Sequence, residues 1–170
     1  MHLMIDIETL DTINTAVVPQ VGWVGFNMSG VATPYEMSLD IEEQLTWGRT
    51  ISADTLKWWM SQPKEARQRV FQADKIHSIE ELGSRLRTII DDCQVQHVWS
   101  HGPAFDIAIL QDLLGTEVCH RRMLRDTRTL AMLAPDIDKT KPRVPHSAGE
   151  DAYVQAWWVI NMLQSLGYRG

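Results

Sequence analysis

The stretch Leu3-Met4-Ile5-Asp6-Ile7-Glu8-Thr9 decides the fold that the sequence predicts. Its apolar residues and alternating pattern are typical of a buried strand, with Asp6 and Glu8 on the same face near its end. Two like charges held side by side in a partly buried place are costly, and a divalent cation would remove that cost. Oxygen ligands of this kind suit Mg²⁺ or Mn²⁺. The alternative is a solvated strand end with two acids that bind nothing.

The composition predicts one globular domain spanning residues 1–170. A chain of 170 residues that is 44% hydrophobic can form a sizeable core, which excludes a disordered protein. The net charge of −6 argues weakly against a protein that coats DNA. Two cysteines, no basic and apolar leader and no apolar run of membrane-spanning length together predict a reducing cytoplasm and no membrane partner.

The basic residues fall into three clusters, and each cluster is either a solvated face or a track for phosphates. The clusters are Arg49, Lys57, Lys64, Arg67 and Arg69; Arg121, Arg122, Arg125 and Arg128; and Lys139, Lys141 and Arg143. The sequence alone leaves the two interpretations open for each of them.

The order of predicted elements indicates an α/β fold, with a mixed sheet and helices on both of its faces. Periodicity and turn residues predict strands over 3–9, 17–28, 33–39, 96–100 and 117–124. Capping residues, prolines and apolar stripes predict helices over 53–61, 63–71, 78–93, 103–114, 126–134 and 147–165. Ser78 and Ser147 each begin a Ser-x-x-Glu capping box.

Tryptophans raise the question of which aromatic side chains lie in the core. Trp59 shares a helical face with Leu56 and Met60, so we expect that face to be buried. Trp58 points elsewhere and is either a packing residue, which we favour, or a platform for a stacked base. Trp157 and Trp158 lie off the core stripe of the last helix, where they either pack under a loop or form a subunit interface.

Three further polar residues lie where the predicted elements begin. Asp106 follows the strand over 96–100 in the first turn of a helix, and ligands in such sheets gather beyond strand ends. His146 and Asp151 flank the predicted N-cap Ser147 at positions that approach each other at a helix start. Taken singly, the aspartate is an ordinary acid near a helix N-terminus and the histidine an ordinary loop residue.

The set is more informative than its members. Four carboxylates, from Asp6, Glu8, Asp106 and Asp151, can hold two divalent cations roughly 4 Å apart, the spacing used for in-line phosphoryl displacement. His146 can take the proton of an attacking water near neutral pH. The pattern therefore predicts a two-metal phosphodiester hydrolase.

The order Asp-x-Glu, then Asp after a strand, then His-x-x-x-x-Asp resembles the DEDD exonucleases of the histidine type (DnaQ-like and ribonuclease T-like) over essentially the whole chain. Further motifs resemble a small branch that contains the phage exonuclease A and the mycobacterial exoribonuclease. These motifs are Gly48-Arg49-Thr50-Ile51, Asp54-Thr55-Leu56-Lys57-Trp58-Trp59, Gln62, Glu65-Ala66-Arg67 and Arg125-Asp126-Thr127-Arg128-Thr129.

The resemblance implies a ribonuclease H-like mixed five-stranded sheet and removal of nucleoside monophosphates in the 3′–5′ direction. It implies that Asp6 bridges two Mg²⁺ or Mn²⁺ ions, that Glu8 and Asp151 hold the ion that activates water, that Asp106 holds the second, and that His146 is the base. The implied substrate is single-stranded DNA or RNA, or a 3′ overhang. A homodimer and the cytoplasm of a bacterial or phage-infected cell are also implied.

Two positions depart from the pattern of many relatives. His101 stands where many carry Asn, so a second histidine is expected near the site, and Ile107 follows Asp106 where some carry Asn, so a sugar or phosphate contact is expected to be missing. Two alternatives remain: a nucleic-acid-binding module with weak catalysis on the same fold, and an endonuclease that would not need His146.

Overall fold

A mixed sheet forms the centre of the computed structural model, which describes residues 1–143 and 146–168. Within these ranges the seven strands are β1 (His2–Glu8), β2 (Gln20–Asn27), β3 (Gly30–Val31), β4 (Tyr35–Leu39), β5 (Ile76–His77), β6 (His97–Ser100) and β7 (Leu124–Asp126). Their order is β5-β4-β2-β1-β6-β7, with β3 paired to β2 off this path. The pairs β1–β2 and β2–β4 are antiparallel, whereas β1–β6, β6–β7 and β4–β5 are parallel.

Helices cover both faces of this sheet. In the described residues they are α1 (Ile41–Thr46), α2 (Ala53–Ser61), α3 (Lys64–Phe71), α4 (Ile79–Asp92), α5 (Asp106–Leu114), α6 (Thr127–Leu133) and α7 (Ala148–Ser165), with a 3₁₀ turn over Arg121–Met123. Leu3, Ile5 and Ile7 of β1 pack against the core formed with α4 and α5. Met4 lies in the opposite core, which α6 and α7 supply. The alternation of β1 thus directs Asp6 and Glu8 to the α7 face.

The predicted α/β class and the helices on both faces are confirmed, but the strand count is not. The five predicted strands correspond to β1, β2, β4, β6 and β7, and the two additional strands are only two residues long. An edge strand is present at this point, but the predicted bounds 117–124 are wrong, because β7 pairs with β6 only over Leu124–Asp126. The His120 ring accepts from the Arg122 N–H and caps the 3₁₀ turn that replaces the strand.

Helix positions agree better with prediction than helix faces do. The helix predicted from residue 103 begins at Asp106, because residues 103–105 form a turn, and α1 was not predicted. The face expected to be buried in α2 contains only one buried residue, Trp59, which is 2% exposed, whereas Leu56 and Met60 are 41% and 74% exposed. Trp59 alone enters the small core formed with Leu10, Val17 and Val70.

The last helix follows its predicted stripe, and its two off-stripe tryptophans pack within the chain. Trp157 and Trp158 are partly buried against the α7 core. The Trp158 indole N–H donates to the Thr140 carbonyl at 2.9 Å, so this ring packs under a loop. None of the helices in the described ranges is long and apolar enough to cross a membrane.

Candidate active site

Asp6 and Glu8 lie at the end of β1 on the face that α7 crosses. In the antiparallel pairing, Asp6 stands opposite Gly22 and Glu8 opposite Gln20 of β2. Glu8 is buried, and Asp6 is partly buried. The alternative of a solvated strand end therefore does not apply to Asp6 and Glu8. Their ionised carboxylates are removed from bulk water, which costs free energy.

Gly22 allows the start of α7 to approach the sheet at this point. A Cβ atom on Gly22 would lie 2.0 Å from the Ala148 carbonyl carbon, so no larger residue fits there without displacing the backbone. The approach brings Asp151, which lies in the first turn of α7, next to the two acids of β1. One carboxylate oxygen from each of Asp6, Glu8 and Asp151 lies within 4.8 Å of the other two.

Asp106 completes the group from the other side of β1. Because β6 runs parallel to β1, the carboxyl ends of the two strands lie at the same end of the sheet. The chain leaves β6 at this end, and α5 begins there with Asp106. Asp106 is buried at 6% exposure. It lies outside the tight set of three, but its charge raises the pKa of both Asp6 and Glu8.

The carboxyl groups of the site all have raised pKa values. Burial is the largest cause of the raised pKa of Asp6 and of Glu8, and repulsion from neighbouring carboxylates adds to it. Burial raises the pKa of Asp106 to about 7 and that of Asp151 to about 6. The ionised cluster is therefore costly unless a positive charge enters it, and its all-oxygen donor set is suited to a divalent cation of the Mg²⁺ or Mn²⁺ kind.

His146 precedes α7 and lies against two tryptophan rings. Its backbone has a φ of 62°, in the left-handed region, and its ring meets Trp58 and Trp59 edge-on at centroid distances of 4.7 and 6.0 Å. These aromatic contacts hold the ring in place. Burial lowers the pKa of His146, so its neutral form, which can accept a proton, is favoured.

Trp58 also borders a cavity beside Glu8. This cavity of about 410 Å³ is lined by Ile7, Glu8, Thr9, Thr12, Asp54, Thr55, Trp58 and Phe105. Trp58 packs edge-on against Trp59 at a centroid distance of 5.1 Å, as the favoured interpretation expects, but 43% of it is exposed, so packing covers only part of this residue. An aromatic surface beside a carboxylate cluster is a suitable place for a base to stack.

Gln155 is a site residue that sequence reasoning missed. Its side-chain amide donates to Asp6 Oδ1 at 2.8 Å and opposes the rise in the pKa of Asp6. It lies four residues after Asp151, so both side chains occupy the same face of α7. That spacing was the available signal, but it carries weight only once α7 is known to cross β1.

The two positions that depart from the family pattern both lie close to Asp106 in sequence, in different surroundings. His101 Nδ1 and Thr127 Oγ1 share a hydrogen bond of 2.6 Å, and the ring meets Trp158 edge-on at 5.9 Å. Ile107 is 1% exposed within the core against α4, so it does not face the carboxylates. His101 is therefore a packed residue with one ring nitrogen engaged.

The first of the predicted basic clusters is not a continuous track. Arg49 is buried and donates to the Asn14 and Ala16 carbonyls and to Asp112, which makes it a structural residue. Arg69 donates to Ser147 Oγ at 2.9 Å, beside the site. The cluster at Lys139, Lys141 and Arg143 remains exposed on the loop before α7.

Comparison with known proteins gives this arrangement its class. Residues 1–163 match the family described as the 3′–5′ exoribonuclease Rv2179c-like domain. The chain belongs to this family, and it is a 3′–5′ exonuclease that acts on nucleic acid. No curated protein matches its sequence significantly.

Solved structures share the fold at low sequence identity. Exonuclease X in complex with 5′-overhanging duplex DNA is 18% identical with a TM-score of 0.62, over 99% of this chain and 95% of that one. The Mg²⁺- and Mn²⁺-bound form of Pop2p from S. pombe is 11% identical with a TM-score of 0.57, over 96% and 82% of the two chains. The sheet is accordingly the ribonuclease H-like sheet that was predicted.

Proposed function

We propose that the protein is a two-metal-dependent exonuclease that releases nucleoside monophosphates from single-stranded 3′ ends or overhangs. The observation that carries this proposal is the buried group of four carboxylates at the end of β1, with His146 beside it. The family description favours RNA as the main substrate, and DNA remains an alternative that the same site would accept.

The positions of the carboxylates suggest how they would divide between two ions. Asp6, Glu8 and Asp151, which approach one another within 4.8 Å, would hold one ion, and Asp106 with Asp6 would hold the other. When bound, the ions would supply positive charge that stabilises the phosphate and the leaving oxygen during displacement. Gln155 would keep Asp6 oriented through its hydrogen bond of 2.8 Å to Oδ1.

His146 would accept the proton of the attacking water at a ring nitrogen. Its lowered pKa keeps the ring neutral near physiological pH, and its contacts with Trp58 and Trp59 fix its orientation. The cavity beside Glu8 would take the terminal nucleotide, with its base against Trp58 or Phe105. A 3′-phosphate would then crowd the pocket of the terminal sugar.

The test compares RNA and DNA oligonucleotides of the same sequence, 5′-labelled to follow shortening and internally labelled to follow released mononucleotides and circular strands, with Mg²⁺, Mn²⁺ or chelator. We expect a ladder that shortens from the 3′ end with release of mononucleotides, loss of activity in chelator, and resistance of circular strands and of 3′-phosphorylated ends. Asp106→Asn, which keeps the side-chain volume, should lower the rate by several orders of magnitude. Cleavage of circles would indicate an endonuclease, and strand binding without cleavage would indicate a binding module.

A further inference from the structure

The start of α7 is bonded to the sheet by side chains that lie outside the carboxylate group. The Ala148 N–H donates to Gln20 Oε1 at 3.0 Å, and the Gly149 N–H donates to Glu36 Oε2 at 3.1 Å. The preceding Ser147 N–H donates to Asp151 Oδ2 at 3.2 Å. Side-chain oxygens thus accept from three consecutive backbone N–H groups at this helix start. Two of these side chains belong to the sheet, one to β2 and one to β4.

Ser147 does not cap α7 in the expected way. Its hydroxyl makes no hydrogen bond to the backbone of the helix. It donates instead to Glu36 Oε2 at 2.6 Å and accepts from Arg69 Nη1 at 2.9 Å. Glu36 therefore binds both the side chain of Ser147 and the backbone of Gly149, and it holds the helix start from the neighbouring strand.

The geometry of the sheet explains why Glu36 can do this. In the pairing of β2 with β4, Glu36 lies opposite Gly22, and Gly22 lies opposite Asp6 in the pairing with β1. The three residues form a row across the sheet, and α7 begins on top of it. A Cβ on Gly149 would lie 3.2 Å from Glu36 Oε2, so the absence of a side chain at this position also serves the contact.

We propose that Glu36 is a positioning residue for the active site. Acting as a hydrogen-bond acceptor for Ser147 and Gly149, it holds His146 and Asp151, on either side of Ser147, in register with Asp6 and Glu8. Gln20, which is fully buried, fixes the intervening Ala148 and binds the Arg69 carbonyl through its amide. This inference rests on the proposed function only for the roles of His146 and Asp151.

The role assigned to Glu36 depends on acceptance of hydrogen bonds and not on negative charge. Glutamine presents the same acceptor oxygen without the charge, whereas alanine presents neither. Glu117→Ala is the matched control, because Glu117 is an exposed acid on a loop and its removal changes the net charge equally. Residues that orient metal-binding side chains typically contribute about 10–100-fold to activity or metal affinity.

The experiment measures kcat and KM on a labelled oligonucleotide, Mn²⁺ affinity by calorimetry on chelator-treated protein, and the unfolding temperature. We expect Glu36→Ala to lower kcat by about 10–100-fold with KM changed less than about 3-fold, and to weaken Mn²⁺ binding about 10-fold. Glu36→Gln should recover both to within about 3-fold of wild type. Equal behaviour of Glu36→Ala and Glu117→Ala, or equal loss in the glutamine and alanine variants, would overturn the proposal.

A milder variant keeps the proposal testable if Glu36→Ala fails to fold. Ser147→Ala removes one of the two groups that Glu36 binds and leaves the Gly149 contact, so kcat and Mn²⁺ affinity should both fall, by less than in Glu36→Ala. Unchanged values in folded Ser147→Ala would contradict the proposal. The proposed function and the role of Glu36 can fail separately. An inactive wild type would refute the proposed function, whereas the differences in Mn²⁺ affinity among the variants would still test the role of Glu36.

Discussion

Two half-buried histidines border the sheet end, and their hydrogen bonds distinguish them. His101 has Nδ1 engaged with Thr127 at 2.6 Å. Burial is the largest cause of its lowered pKa, and the positive charges of Arg128 and Lys139 lower the pKa further. His146 makes edge-on aromatic contacts, and burial alone lowers its pKa. One ring nitrogen of His101 is thus already bonded to the protein, whereas within the described residues the His146 ring makes aromatic contacts and no hydrogen bond.

His146→Ala should lower kcat by roughly 10²–10⁴-fold, the usual contribution of a general base. The neutral ring dominates above its pKa, which lies below the ordinary value of 6.5, so the wild-type rate should rise with pH through an inflection below 6.5. The variant should lose that inflection and recover partly at high pH, where hydroxide replaces the base. The pH–rate profiles of the wild type and of His146→Ala test this.

His101→Ala serves as the comparison, and it should keep the shape of the wild-type profile. If His101→Ala loses the acidic limb while His146→Ala keeps it, the base has been assigned to the wrong histidine. Nucleic-acid binding by each variant, measured in chelator, shows whether a slow variant still holds its substrate.

Individual residues differ in how far the sequence could predict them. Asp6, Glu8 and Asp151 could be found because alternation in a strand and spacing at a helix start fix their directions. Trp58 could not be placed, because helical periodicity says which residues share a face but not whether a face is covered. Gln155 could not be found, because no local pattern gives the crossing of α7 over β1.

At the scale of elements, the contact between α7 and β2 depends on a single glycine. Gly22→Ala would place a Cβ 2.0 Å from the Ala148 carbonyl carbon. Backbone cannot yield as a flexible side chain can, so we expect a loss of roughly 1–3 kcal/mol or more in the free energy of unfolding. Displacement of Ala148 also moves Asp151 from Asp6, so activity should fall further than stability alone explains.

Gly25→Ala is the matched control on the same strand. Its Cβ would meet only the side chain of Met1, at 3.3 Å from the sulfur, and that side chain can move. Urea denaturation of the two variants, followed by activity under fully folded conditions, separates stability from geometry. Equal effects of the two substitutions would contradict the account of how α7 is seated.

Element boundaries were predictable from local signals, whereas the partners of their caps were not. Ser78 caps α4 as its Ser-x-x-Glu pattern predicts, by accepting from the Glu81 N–H at 3.2 Å. Ser147 carries the same pattern, but its hydroxyl binds Glu36 and Arg69 instead. The difference is tertiary, because α7 begins against β2 and β4, where the side chains of Glu36 from β4 and Arg69 from α3 compete for the Ser147 hydroxyl.

At the scale of the whole molecule, the cost of burying ionised carboxylates in the metal-free protein depends on pH. The folded-state pKa of about 7 for Asp106 and about 6 for Asp151 exceeds the ordinary value of 3.8. Between pH 4 and 7 the folded chain therefore binds more protons than the unfolded chain through these groups, and their contribution to stability falls as the pH rises. His2, whose pKa burial lowers to about 4, acts in the opposite direction over pH 4 to 6.5.

The opposing histidine means that the carboxylate contribution must be isolated as a difference between two proteins. Asp106→Asn has no group to titrate at this position, so in chelator it should be more stable than wild type at pH 8, and the two should converge towards pH 4. Adding Mn²⁺ at pH 8 should stabilise wild type by mass action and stabilise the variant less, because one ligand is gone. Thermal unfolding at pH 4, 6 and 8, with chelator and with Mn²⁺, measures both effects. A stability difference that does not change with pH would show that Asp106 is already ionised without cost in the metal-free protein, and the burial cost that makes this site suited to a cation would then be absent at that residue.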